Sequence, residues 1–147
     1  MHKSEDTFHL GVKALIRNGE GKILLLQVNK KQLSKTTEAY WDIPGGRVQR
    51  GELPQAALRR EVHEETGIDV LENIRPFAMT LSNIRIPQES GDVGLILWAF
   101  TCYAPVLETV ELSSEHVAHD WFEPVEVMQK LSFKYPLDFL KKLEAIA

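Results

Sequence analysis

Apolar and polar positions interleave from the eighth residue onward: Phe8, Leu10, Val12, Ala14 and Ile16 alternate with His9, Gly11, Lys13, Leu15 and Arg17. A period of two predicts a half-buried strand. Asn18, Gly19, Glu20 and Gly21 suit a tight turn, and the apolar run Ile23 to Leu26 predicts a more central strand, so the pair forms a hairpin. Asn29 to Tyr40 is polar, with Lys30, Lys31 and Lys35 among Thr and Ser residues, and predicts a surface loop over one end of the sheet. Trp41 to Gly46, WDIPGG, brings the chain back, and its Pro and Gly residues mark an abrupt change of direction.

Leu53 to Thr66 is the clearest helix. Pro54 suits a first turn, the interior is rich in Ala, Leu, Arg and Glu, and Gly67 offers a left-handed stop. Farther on, Phe77, Met79 and Leu81 alternate, Leu95 to Tyr103 is a long apolar run, and Trp121 with Phe122 ends a short extended piece; all three predict strands. Pro124 to Leu131 and Leu137 to Ile146 predict two closing helices, the second with Phe139, Leu140, Leu143 and Ile146 at helical spacing. Strands on either side of a central helix, with helices at the end, imply a mixed sheet covered on both faces, hence an α/β or α+β fold.

A chain of 147 residues with 44% hydrophobic and 26% charged residues suits one globular domain over residues 1–147, with 1–6 as a flexible tail. Cys102, the single cysteine, lies in an apolar run and is expected to be a buried thiol; no disulfide can form within the chain. Met1 to Asp6 is polar and no stretch approaches the length of a membrane span, so a soluble, cytoplasmic protein is expected. The net charge of −4 gives no footprint for a nucleic-acid duplex, whose binding is dominated by Lys and Arg contacts. A small phosphorylated ligand remains open, because a bound cation can supply the positive charge.

The predicted helix carries the candidate chemistry. At about 100° per residue, Glu61, Glu64 and Glu65 share an arc of roughly 100°, where like charges at spacings of three and four repel. Leu53, Pro54, Ala57, Leu58 and Val62 centre on that same side, whereas Gln55, Ala56, Arg59, Arg60 and His63 lie opposite or flanking. The three carboxylates are therefore expected to continue the inward face. Clustered, partly buried carboxylates either neutralise by raised pKa or bind a hard cation, and oxygen-only ligation favours Mg²⁺ or Mn²⁺ over zinc. His63 points away and is expected at the surface.

The stretch GRVQRGELPQAALRREVHEETGI, Gly46 to Ile68, has five residues between Gly46 and Glu52 and seven between Glu52 and Arg60, followed by Glu61, Glu64, Glu65 and Gly67. It resembles the signature of the Nudix hydrolases at every fixed position, and WDIPG resembles the family's lead-in. At average residue usage such a match arises by chance on the order of 10⁻⁷ per chain. The box covers 23 of 147 residues.

The resemblance implies an α/β/α sandwich and cleavage of a diphosphate linkage in a nucleoside diphosphate joined to another moiety, by water attacking phosphorus with Mg²⁺ bound and Mn²⁺ as a substitute. It implies Glu61, Glu64 and Glu65 as metal ligands, Glu61 also as a group that orients or deprotonates water, and the Gly45 carbonyl in the inner shell. Arg60 would fix the catalytic glutamate, with Glu52 as its partner or a more distant metal contact, and Gly46 with Gly51 would let the loop curl against the helix start. A further acidic residue before a late strand fits Glu115 as metal ligand or general base, with Glu111 and Asp120 as rivals. Homodimers are common in the family, and the apolar N-terminal strand offers a pairing element.

No subgroup mark identifies the substrate, and Pro87 falls three or four residues later than an ADP-ribose pattern would place it. Trp41, Phe77, Trp98 and Trp121 could stack on a base, but packing is the expected role of each. Two rivals stand beside the main reading: a nucleoside triphosphate pyrophosphohydrolase that sanitises the nucleotide pool, and a catalytically silent nucleotide-sensing module.

Overall fold

The structure is a computed structural model, and it describes residues 4–29, 39–105 and 110–146. Residues 1–3 of the expected tail and 30–38 of the expected loop lie outside the described residues. At the end of the expected tail, Arg85 Nη1 and Nη2 donate to the Asp6 carboxylate at 2.8 and 3.0 Å.

The N-terminal pair forms as expected. β1 (Phe8–Arg17) and β2 (Ile23–Val28) are antiparallel through Arg17 and Ile23. Asn18 closes the turn: its side-chain Oδ1 accepts from the backbone N–H groups of Glu20 and Lys22, both at 3.0 Å, and Gly21 adopts φ +78°. β1 is not half-buried, however. Gly11 to Ile16 are all buried, because β1 runs through the middle of the sheet. β7 (Gly91–Tyr103) pairs with it in parallel over its whole length, and β4 (Gly45–Arg47) pairs antiparallel with its other edge. With both edges engaged, β1 offers no free edge to a second chain, which removes the pairing element expected for a dimer.

β3 (Trp41–Asp42) and β8 (His116–Phe122) add to β2, while β5 (Glu72–Leu81) and β6 (Ile86–Gln88) add to β7. One parallel pair among antiparallel ones makes the sheet mixed. The register of β5 on β7 shifts between Pro76 and Ala78, and Met79 and Leu81 face outward at 53% and 56% exposure instead of continuing a buried row with Phe77.

Helices cover both faces. Val12, Ala14, Ile16, Leu24 and Leu26 pack against Ala57, Leu58 and Val62 of α1 (Pro54–Thr66). Leu15, Ile23, Leu25, Leu97 and Ala99 pack on the opposite side against Val127 of α2 (Pro124–Lys130), Leu131 and Tyr135, and Phe139 and Leu140 of α3 (Leu137–Lys142). A short 3₁₀ turn, Leu143–Ile146, finishes what periodicity alone extends as one helix. The strand residues alternate between two cores, so the expected α/β/α sandwich stands, and the odd positions of β1 point toward α2 and α3. Cys102 is buried, and burial pushes its thiol up to about 12.

Candidate active site around the helix carboxylates

α1 starts after Leu53 with Pro54 at its first position and ends at Gly67, φ +77°, whose N–H donates to the His63 carbonyl at 2.8 Å. Its C-terminal half lies beside β4, where two glycines make close approach feasible. Gly45 adopts φ +148°, and a Cβ there would press into Lys13; at Gly46 a Cβ would collide with the Glu61 carboxyl group. The space of the missing side chain is thus filled by that carboxylate.

The three glutamates are not equivalent. Glu65 is buried, with its side chain 6% exposed, and its Oε1 accepts the Gly45 N–H at 2.7 Å. Glu61 is 17% exposed, whereas Glu64 is 55% exposed and stands at the rim. Leu53 is 74% exposed. The expectation that all three carboxylates and Leu53 share an inward face is therefore corrected at both ends: the loop before α1 holds Leu53 away from the sheet, and the buried arc centres on Ala57, Leu58, Val62 and Glu65.

Arg60 also departs from its place on a flanking side. Its Nε and Nη2 grip both oxygens of Glu52 at 2.7 and 3.0 Å, and its Nη1 donates to Glu61 at 2.8 Å and reaches Glu64 at 3.3 Å. One guanidinium thus relieves much of the repulsion that wheel geometry assigns to these carboxylates. The Arg60 hydrogen bonds, with one from the Gln49 N–H, hold the Glu52 carboxyl down to about 2. His63 is exposed, as expected, and pairs with Asp69 at 2.6 Å.

A cavity of about 880 Å³ opens beside this helix end, and Gly45, Gly46, Glu61, Glu65 and Glu115 are on its wall. Neither rival of Glu115 lines it. Glu111 donates its N–H to the Thr66 carbonyl at 2.8 Å near the end of α1, and Asp120 is exposed on β8 with Oδ1 accepting from the Trp121 N–H. Trp41, Phe77, Trp98 and Trp121 also stay off the wall. Trp41 meets Phe122 edge-on at 5.2 Å, Trp98 packs on Phe100 at 4.7 Å and Phe77 on Phe139 at 5.9 Å, so these three are packing residues.

Two features are absent from the sequence reading. The first is His116, next to Glu115, whose Nδ1 is buried without a hydrogen-bond partner among the described residues; Glu65 Oε2 lies 3.4 Å away, poorly aligned. Ligand atoms of Glu65, Glu115 and His116 all fall within 4.8 Å of one another. A histidine next to an acidic residue in SSEHVAHDWF is the signal that could have found it. The second is a buried set on the same cavity: Asp42 accepts from Lys13 at 3.0 Å, Lys134 at 2.7 Å and the Tyr135 hydroxyl at 2.6 Å. Lys13 lies on the polar side of the expected strand but is 5% exposed, because that side faces α2 and α3.

Electrostatics separates these groups. Burial drives the Glu65 carboxyl up to about 7, with Lys13 and the Gly45 N–H opposing the shift. Burial drives the His116 imidazole down to about 4, and Lys13 adds to that. For Asp42, burial alone would raise the carboxyl, but the two ammonium groups hold it well below the usual carboxylate range. A carboxylate such as Glu65, buried and lacking a full counter-charge, is the kind of oxygen donor that a divalent cation satisfies, and Glu61, Glu115 and the orphaned His116 nitrogen lie on the same wall. The residues present fit such an ion.

A family model described as NUDIX domain matches residues 7–143. A MutT-like protein from Streptomyces ambofaciens is 24% identical over 135 residues, covering 92% of this chain and 77% of the relative. A CTP pyrophosphohydrolase from Escherichia coli K12 is 29% identical over 126 residues, covering 86% and 81%. Among solved structures, a MutT protein from Methanosarcina mazei Go1 superposes with a TM-score of 0.69 at 29% identity, over 98% of this chain and 96% of that one.

Proposed function

The chain belongs to the NUDIX family, and from that premise we propose that it hydrolyses a diphosphate linkage in a nucleoside diphosphate joined to another moiety, with Mg²⁺, or Mn²⁺ in its place, held by Glu61, Glu64 and Glu65. The observation that carries this is the placement of Glu65: a buried carboxylate held by the Gly45 N–H, on the wall of a cavity large enough for a nucleotide. Its relatives' names, a CTP pyrophosphohydrolase among them, support phosphoanhydride chemistry. A cytoplasmic enzyme on small nucleotides fits the acidic chain, and among the described residues no helix is long and apolar enough to cross a membrane.

When bound, the cation neutralises diphosphate oxygens and lowers the pKa of water. The protein's own groups do the rest. The Gly45 backbone is fixed between β1 and Glu65, and its carbonyl would be a further ligand of the ion. Arg60, anchored on Glu52, donates directly to Glu61 and holds it in place, a support of the kind that orients ligands from outside the coordination shell. We assign proton removal from the attacking water to Glu115, because it lines the cavity with no ion-pair partner among the described residues, whereas Glu61 is committed to Arg60. Water oxygen bonds to phosphorus, the bridging P–O bond breaks, its electrons leave with the departing phosphate, and the proton passes to the carboxylate.

The test is turnover of a panel of sugar nucleotides, dinucleotides and nucleoside triphosphates with Mg²⁺, in wild type and in Glu64→Gln. Release of a nucleoside monophosphate from a diphosphate-linked compound, abolished by chelation and by the substitution, is the expected result. Preference for triphosphates would select the pool-sanitising activity, and no turnover of any compound would favour a silent sensor.

A further inference from the structure

The Asp42 cluster is not used by the hydrolytic chemistry, yet it lies on the same cavity. A carboxylate offers about four acceptor sites. Asp42 has filled them: Oδ2 accepts from Lys13 and Lys134, and Oδ1 accepts from the Tyr135 hydroxyl and, at 2.8 Å, from the Ile43 N–H. It cannot accept a hydrogen bond from a ligand. The ammonium groups are in the opposite condition, since each has three N–H donors. Lys13 spends one on Asp42 and one on the Ile43 carbonyl at 3.3 Å, and Lys134 spends one on Asp42 among the described residues. What the cluster has left to offer is donors only.

Its charge points the same way. Two buried ammonium groups share one carboxylate, and buried cations without full compensation are unfavourable unless a counter-charge arrives. Glu65 is a further carboxylate that bears on Lys13, but it accepts the Gly45 N–H and lies at the hydrolytic end of the cavity. The two ammonium groups differ: burial opposes the Lys13 ammonium but Asp42 and Glu65 outweigh it and raise Lys13, whereas burial, with Lys13 adding to it, lowers Lys134 to about 8 despite Asp42, so Lys134 is the one short of a negative partner.

Building on the hydrolase reading, we propose that Lys13 and Lys134, positioned by Asp42 and Tyr135, select substrates whose moiety beyond the diphosphate carries an oxyanion, a carboxylate or a phosphate. The lysines are specificity-determining residues that bind this group by donated, charge-assisted hydrogen bonds. A neutral moiety rich in hydroxyl donors leaves the cluster's charge unanswered.

Matched pairs that differ in one oxyacid group beyond the diphosphate test this: UDP-glucuronate against UDP-glucose for a carboxylate, and ADP-ribose 1″-phosphate against ADP-ribose for a phosphate. In wild type with Mg²⁺, the charged member of one pair is expected to have a kcat/KM higher by about tenfold or more, and which pair responds identifies the oxyacid. Lys134→Met, checked for folding by its thermal midpoint, should reduce that preference to about twofold or less, mainly through KM, because it removes donors remote from the reacting phosphorus. If Lys134→Met does not fold, Lys13→Met is read in the same way, and an equal or reversed wild-type preference overturns the proposal whatever the variants do. Equal or reversed preference in every pair, or a preference unchanged in a folded lysine variant, overturns the proposal. Calorimetric Kd values for the same pairs separate it from the hydrolase reading. Absence of all turnover with a retained difference in Kd sinks the hydrolysis and keeps the selectivity, whereas turnover without any difference does the reverse.

Discussion

Replacing Glu65 by Gln should stabilise the protein in chelator at pH 8 and lose that advantage at pH 5. Burial raises the Glu65 carboxyl from 4.5 to about 7. A group whose folded pKa is raised contributes stability that is fully present below its unfolded value and is lost as pH rises through the folded one, so the window here is pH 4.5 to 7. At about 1.4 kcal/mol per unit, ionising Glu65 in the folded state costs an upper limit of about 3 kcal/mol. Gln is never charged, and it keeps the needed contacts: its Oε1 can accept the Gly45 N–H, and its amide can donate to His116 Nδ1, which lacks a partner among the described residues and is neutral at both pH values because its pKa is lowered to about 4. His116 titrates in both proteins, so its own contribution largely cancels in the difference. Urea unfolding followed by tryptophan fluorescence, in chelator, should give a variant-minus-wild-type stability about 2 kcal/mol more favourable at pH 8 than at pH 5. A difference independent of pH, or a variant less stable than wild type at pH 8, would refute the reasoning that Glu65 is a destabilising charge awaiting a partner.

Further outcomes follow from the same geometry. Glu61→Gln and Glu64→Gln should each lower Mg²⁺-dependent kcat by about 10² or more without unfolding the protein, read by steady-state kinetics beside circular dichroism. Gly46→Ala places a Cβ where the Glu61 carboxyl sits, and displacing that ligand by about 1 Å should cost about 10² in kcat/KM. Asp42→Asn leaves Lys13 and Lys134 without their carboxylate and should destabilise the fold by about 3 to 5 kcal/mol in urea titrations; a loss under 1 kcal/mol would show that the lysines find other partners.

The features legible in the sequence are the local ones. α1 was readable because Pro54, its Ala, Leu and Glu content and Gly67 all act within one segment, and the carboxylate spacing came with it. The layer order was readable from alternating strands and helices. What escaped depends on the far ends of the chain meeting. A period of two in β1 cannot say whether its second face meets water or helices, so it assigns Lys13 to the polar side although Leu15, two residues on, packs against α2 and α3. Lys134 and Tyr135 reach Asp42 across 92 and 93 residues, and no local pattern marks them; an aspartate inside the apolar stretch WDIP was the one hint. Arg60 sits beside Glu61 in sequence, yet its long side chain turns to Glu52, and a wheel of Cβ directions does not capture that.

The central claim is that the carboxylates at the end of α1 hold a divalent cation, and locating Mn²⁺ by anomalous scattering in crystals soaked at neutral pH measures it directly. The account predicts a peak bounded by carboxylate oxygens of Glu61 and Glu65 and by the Gly45 carbonyl, with Glu64 swung from Arg60 toward the ion. A peak elsewhere, or none, with Arg60 still gripping Glu61 and Glu64, would contradict it.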